Sequence, residues 1–185
     1  DNIYYFQTYN KKENTYGAAI SVPLAENAKK RISEVEDFVL MTNTGSAYKM
    51  TTKYKTVYQD NGFAFSENFF NFFPFKLISG GFKNPLKNKT NMIFSKQTGQ
   101  NLFSKKKVIG ETIKINTANF IVTAVYELPE GNSQINPNFV IKPADQLKND
   151  KEQWGNFNYG CFFILKKGAD PRSFEKKFLD IIMLR

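Results

Sequence analysis

Apolar and polar positions alternate from the start of the chain. Ile3, Tyr5 and Gln7 interleave with Tyr4, Phe6 and Thr8, so residues 2–9 read as a strand apolar on both faces. Pro23 opens a helix through residue 32, with Leu24, Ala28 and Ile32 on one stripe. The basic run Lys29, Lys30, Arg31 sits favourably at its C-terminal end. Residues 35–41 make a second strand, and this β-α-β start places the first two strands side by side in one sheet. Tyr48, Met50, Tyr54 and Tyr58, set among Thr and Lys, predict a half-exposed hairpin arm over 47–58 that turns near 51–53.

The pattern then condenses. Of the 19 phenylalanines, seven (Phe63, Phe65, Phe69, Phe70, Phe72, Phe73 and Phe75) fall between residues 63 and 75. Ser66 suits an N-cap, and Phe69, Phe72 and Phe73 stand at i, i+3 and i+4, which predicts a short amphipathic helix ended by Pro74. Such spacing marks core; a partly exposed apolar edge for a partner is the competing reading. Gly80-Gly81 reads as a turn. Residues 92–94 make a brief strand, Ser95 caps a helix through Phe103, and 112–116 with 120–126 make a hairpin around 117–119. Residues 128–138 are loop, 139–141 a strand, and the segment up to Trp154 is polar. Residues 159–165 are apolar on both faces, the mark of a central strand. Asp170 and Pro171 start a last helix with Phe174, Phe178 and Ile181 facing inward.

Composition narrows the function classes. With 41% hydrophobic residues the chain can bury a core, as one domain or two small lobes. A formal charge of +9 is compatible with nucleic acid, anionic lipid or an acidic partner, and a solvated lysine surface is the plain alternative. There is no histidine, which removes His-dependent triads and most zinc sites. Cys161 lies among apolar neighbours, where thiols are usually inert. No run approaches the length of a spanning helix. The chain starts at Asp1 without an initiator Met, so it reads as a soluble part of something larger.

Candidate chemistry is thin. Lys105, Lys106 and Lys107 follow Phe103, but no RNP-type pattern, helix-turn-helix or zinc spacing accompanies them. The glycine pairs lack a phosphate-loop context. Glu34, Glu36 and Asp37 cluster after the first helix, and Glu127 and Glu130 flank Pro129, without a pairing that would suit hydrolysis. No catalytic, cofactor or metal residue is assigned.

In order along the chain, weak motifs accumulate into a strong resemblance. They are Asp1-Asn2-Ile3-Tyr4; Pro23-Leu24-Ala25 with Val35-Glu36; Tyr58-Gln59-Asp60; Phe69-Phe70-Asn71-Phe72-Phe73; and Leu77-Ile78-Ser79-Gly80-Gly81. Asn101-Leu102-Phe103, Ile109-Gly110-Glu111-Thr112-Ile113, the strand through Val125, Pro129 with Asn132-Ser133, and Trp154 follow. This series resembles the MacB-like periplasmic core domain of FtsX-like ABC transporter permeases. Ser104 and Ala124 stand where glycines are usual, and Gln134 where a histidine is usual.

The resemblance implies an α+β fold in a single extracytoplasmic domain over 1–185. A porter-like lobe of β-α-β units comes from 1–44 plus 136–185, and an inserted, mainly β, sabre-like lobe from 45–135. It implies a domain between two transmembrane helices, on the periplasmic side of the cytoplasmic membrane. Such a domain does no chemistry, binds no cofactor or nucleic acid, and couples cytoplasmic ATP hydrolysis to export or handover outside the membrane. The implied partners are a cytoplasmic ATPase subunit or domain, a second permease copy, and a periplasmic or outer-membrane protein. The alternative is a secreted or periplasmic ligand-binding module.

Overall fold

The structure, a computed structural model, describes residues 2–43, 47–66, 68–73, 75–81, 83–104, 107–129 and 135–183. The elements in chain order begin with β1 (Ile3–Tyr5), β2 (Thr8–Asn10), β3 (Thr15–Gly17), α1 (Val22–Arg31) and β4 (Val35–Asn43). Next come β5 (Tyr48–Thr51), β6 (Thr56–Gln59), β7 (Gly62–Phe65), α2 (Phe69–Phe72) and β8 (Lys76–Gly80). Then follow β9 (Asn91–Ser95), α3 (Lys96–Phe103), β10 (Thr112–Ile115) and β11 (Ala118–Glu127). The last are β12 (Phe139–Ile141), α4 (Ala144–Asn149), β13 (Gly160–Leu165) and α5 (Pro171–Met183). The fold is mixed α+β. The chain divides into a terminal unit, Asp1–Thr42 with Asp145–Arg185, and a middle unit, Asn43–Ala144.

In the terminal unit, β13 lies between β1 and β4 and is antiparallel to both. The expected side-by-side pairing of the first two strands is therefore corrected. β13 takes the central place because Cys161, Phe162 and Phe163 are buried in succession, on both faces of the strand. One face carries α1 and α5: Leu24, Ala25 and Ala28 meet Phe174, Phe178 and Ile181 over Cys161, Phe163 and Leu165. Burying each Phe or Leu here contributes about 1.5–3 kcal/mol before entropy is counted.

Residues 2–9 do not form one strand. After β1, Phe6 still donates its N–H to the Cys161 carbonyl (2.9 Å). The chain then leaves as an exposed β2–β3 arm, turned at Asn14 (φ 51°) and braced by Tyr9 against Tyr16, centroids 5.0 Å apart. Proline starts α1 as expected, and Lys29 at its end pairs with Asp37 at 2.7 Å. α5 begins as expected, with Asp170 Oδ1 accepting the Arg172 N–H at 3.0 Å.

The middle unit is a sheet in the order β7-β12-β9-β11-β10-β5-β6. β11 is long enough to pair along one edge with β9. Its other edge holds β10 along residues 118–121 and β8 along 124–127. β12 lies between β7 and β9, so residues 136–144 belong with the middle of the chain and not with the chain ends as the resemblance placed them. β7 and β8 lie in stretches with no strand expectation. β7 is buried at every residue and so shows no alternation, and Gly80 closes β8 where a turn is expected. The β5–β6 turn falls at 52–55, where Thr52 Oγ1 accepts the N–H groups of Tyr54 and Lys55. The β10–β11 turn is Asn116-Thr117, with Asn116 at φ 52°. α2 begins after Asn68, whose side chain makes no capping hydrogen bond, and the Ser66 carbonyl accepts the Phe69 N–H at 3.2 Å.

Candidate functional site

The phenylalanine-rich stretch folds onto itself in the middle unit. Phe69, at the start of α2, is its centre, with ring centroids 4.5 Å from Phe65, 5.0 Å from Phe70 and 5.2 Å from both Phe73 and Phe75. Phe75 passes the contact to Tyr126 on β11 at 5.3 Å. The Tyr126 hydroxyl donates to the Pro137 carbonyl at 2.6 Å, and burial pushes its pKa well up. Phe63, Phe65, Phe69, Phe72 and Phe75 are buried, and Phe70 and Phe73 half-buried. The cluster welds β7, α2 and the start of β8 to β11, and the competing reading as a partner surface is left with two half-exposed rings.

The other signature residues separate into local roles. Leu102 and Phe103 are buried on the inner face of α3, with Met92, Phe94 and Val122. Asp60 accepts from Asn138 Nδ2 at 3.1 Å, tying the β6–β7 turn to the segment before β12. Gly80 has φ 100°, and a Cβ there would stand 2.2 Å from the Thr123 carbonyl, so no other residue fits. Gly110 (φ 86°) turns the chain into β10 and donates its N–H to Val122 at 2.8 Å. Pro129 is half-buried just past β11. Tyr58 is 73% exposed on β6, away from the phenylalanines. Trp154 belongs to the terminal unit, packed against that unit's core. Ser133 lies outside the described residues.

Three contacts are not legible in the sequence. At Gly62 a Cβ would fall 1.9 Å from the Phe139 ring, which lies across the bare backbone. Thr123 Oγ1 donates to the Pro85 carbonyl at 2.7 Å, and Asn91 Nδ2 reaches that same oxygen at 2.8 Å. Gly62 and Thr123 depend on partners more than 30 positions away, and Asn91 on a carbonyl six positions before it across an irregular segment. An isolated Gly beginning a phenylalanine-rich run was the only available signal.

Beside α3 the middle unit has an open groove of about 530 Å³. Its floor is Val125 of β11 with Ser79 and Gly80 of β8. Lys96, Gly99 and Gln100 of α3 form one wall, and Lys107, Val108 and Ile109 close one end. Ser95 holds α3 in place, its Oγ accepting the Thr98 N–H at 3.3 Å. Lys96 is bound to Glu127 at 2.7 Å, and this hydrogen bond and charge hold the Glu127 carboxyl below its usual range. The groove's ionisable lining is therefore lysine, suited to recognition of an anion or acidic chain and lacking an acid–base pair. Cys161 is fully buried in the terminal unit, and desolvation pushes its thiol well up, away from the reactive thiolate. Among the described residues no three His, Cys, Asp or Glu side chains gather as a metal would need, and no helix is long and apolar enough to cross a membrane.

Known proteins place this architecture. The chain superposes on a domain of a protein described as a permease from Porphyromonas gingivalis with a TM-score of 0.83, at 19% identity, covering 98% of this chain and 82% of that one. The periplasmic region of MacB from Actinobacillus actinomycetemcomitans gives 0.68 at 16% identity, over 97% of this chain and 80% of that one. The extracellular domain of the noncanonic ABC-type transporter YknZ from Gram-positive bacteria gives 0.66 at 12% identity, over 94% and 88%. Among curated protein sequences nothing matches. The sequence profile of the MacB-like periplasmic core domain matches residues 1–181. The chain is a member of the MacB-like periplasmic core domain family.

Proposed function

We propose that this chain is the extracytoplasmic domain of an ABC transporter permease in the cytoplasmic membrane, and that it transmits the ATP-driven movement of its membrane helices to a substrate or partner outside. It performs no chemistry itself. The observation that carries this reading is the convergence of both chain ends on one strand. β1 pairs with β13 from Ile3↔Ile164 to Tyr5↔Phe162, and Asn2 Nδ2 adds a bond to the Leu165 carbonyl at 2.7 Å. From the other end, Phe174 and Phe178 of α5 set their rings 5.2 and 6.0 Å from Phe163 of β13. A displacement at either end reaches the same sheet through hydrogen bonds or close packing, with no flexible link between. Family membership over 1–181 supports the same assignment.

In the porter-like and sabre-like description, the terminal unit is the porter-like lobe and the middle unit the inserted one. The partners are a cytoplasmic ATPase, a second permease copy and an extracytoplasmic protein. The groove beside α3 is the feature that favours the alternative, a detached ligand-binding module. Cutting either terminal connection in the full permease separates the two. Coupling predicts that transport stops while the domain keeps its fold by circular dichroism; transport through a cut connection would defeat it.

A further inference from the structure

Charge is divided very unevenly between the units. Residues 43–144 hold 13 lysines, no arginine and five carboxylates, a net +8, whereas the rest hold 13 Lys plus Arg against 12 carboxylates, a net +1. Within the positive unit, β8 is unusual. Among the described residues it pairs with β11 alone, which leaves its outer edge open beside the groove. Register puts Lys76 opposite Glu127 and Ser79 opposite Val125, so these side chains share the face that α3 flanks. Ile78, the extra residue at the bulge, is 37% exposed on this edge.

The wall of the groove carries a second indication. Gly99 stands inside α3, where glycine costs about 0.5–1 kcal/mol relative to alanine. Packing does not demand it: a Cβ would sit 3.8 Å from Val108 and 4.0 Å from Val125, ordinary contact distances. What the missing side chain does is keep the groove wide.

We propose that this groove, with the free edge of β8, is the docking site for an extended acidic segment of a partner protein, which adds to β8 as a further strand. Backbone groups of the edge supply the hydrogen bonds, Val108 and Val125 receive alternate apolar side chains, and Lys76 and Lys107 select acidic ones. A second copy of β8 is disfavoured as occupant, because it would bring another unit of net +8 against this one. A bilayer is disfavoured because the groove is lined by no aromatic anchor. The inference rests on the reading that the domain meets an extracytoplasmic protein partner, but it is tested without transport.

The experiment uses the 185-residue chain and a fluorescein-labelled peptide that alternates glutamate with valine. Anisotropy should show saturable binding that weakens with salt. Amide shifts in nuclear magnetic resonance should concentrate at 76–80, 96–100 and 107–109. Reversing Lys76→Glu together with Lys107→Glu should weaken binding about tenfold or more. Gly99→Phe, which fills the groove, should do the same, with the charge variant standing alone if Gly99→Phe lowers the melting point. Lys49→Glu, on β5, should leave binding unchanged. Absence of saturable binding, equal binding by the charge variant, or shifts elsewhere would overturn the proposal. So would capture of phosphatidylglycerol vesicles through the same lysines when the peptide is not bound. Loss of the peptide site would still leave coupling to be judged by the cut-connection experiment.

Discussion

The two units divide the work of a folded domain differently. The terminal unit is close to neutral, builds its core from two helices on three strands, and gathers both ends of the chain. The middle unit is mostly sheet, is welded by clustered phenylalanines, and holds nearly all of the net charge. Charge balance does not dictate either fold, because lysines can extend into water from any sheet. It dictates what each surface attracts. A neutral unit tied to both ends is suited to carrying displacement, and a positive unit with an open strand edge is suited to meeting a partner.

The largest effect that would break this picture lies in the phenylalanine cluster. Phe72 is 2% exposed, and Phe72→Ala should cost about 3–5 kcal/mol, measured by urea unfolding. An unchanged midpoint would return the cluster to the partner-surface reading. Next is Gly80→Ala, which forces a side chain into a left-handed φ and against the Thr123 carbonyl. A loss of about 1–3 kcal/mol is expected, seen as a lower melting temperature. Gly99→Ala should act in the opposite direction, raising stability by about 0.5–1 kcal/mol while narrowing the groove. A destabilised Gly99→Ala would mean that the α3 wall has no spare room.

A smaller effect depends on pH. In the terminal unit, Glu34 is brought to a pKa of about 2, first by the hydrogen bond from Lys177, then by its own backbone and Ser33. A folded pKa below the unfolded value stabilises the fold above about pH 4.5, and that contribution disappears as pH falls toward about 2. Glu34 is half-buried but its partner Lys177 reaches into solvent, so screening keeps the effect small. Wild type and Glu34→Gln should therefore converge in melting temperature on acidification across that window, and a gap that widens would contradict the assignment. At the bottom of the scale, Tyr58→Ala on the exposed β6 edge should change stability by less than about 0.5 kcal/mol.

Legibility followed locality. Ser95 and the spacing of Leu102 and Phe103 announce α3 because a cap and an apolar stripe act within one or two turns. Asp170, Pro171 and the Phe174, Phe178, Ile181 stripe announce α5 for the same reason. β13 is readable as a central strand because residues buried on both faces must be apolar in succession. Its neighbours are not readable, since nothing local in Tyr5 or Val39 names Phe162 as a partner. β12 was assigned to the wrong end of the chain for the same cause. α4 offers only Leu147 as an inward residue, too little for periodicity, and it lies in a segment that reads only as polar. The groove was invisible: Gly80, Gly99 and Val125 come together only once β8 has paired with β11.

The central claim is that displacement enters through the chain ends and is carried by β13. The direct measurement is transport per ATP hydrolysed in liposomes holding the full permease, with Phe178→Leu loosening α5 from Phe6 and Phe163. The account predicts that hydrolysis continues while transport per ATP falls, with the domain still folded. Unchanged transport per ATP in a permease whose α5 has been shown to be loosened would contradict it.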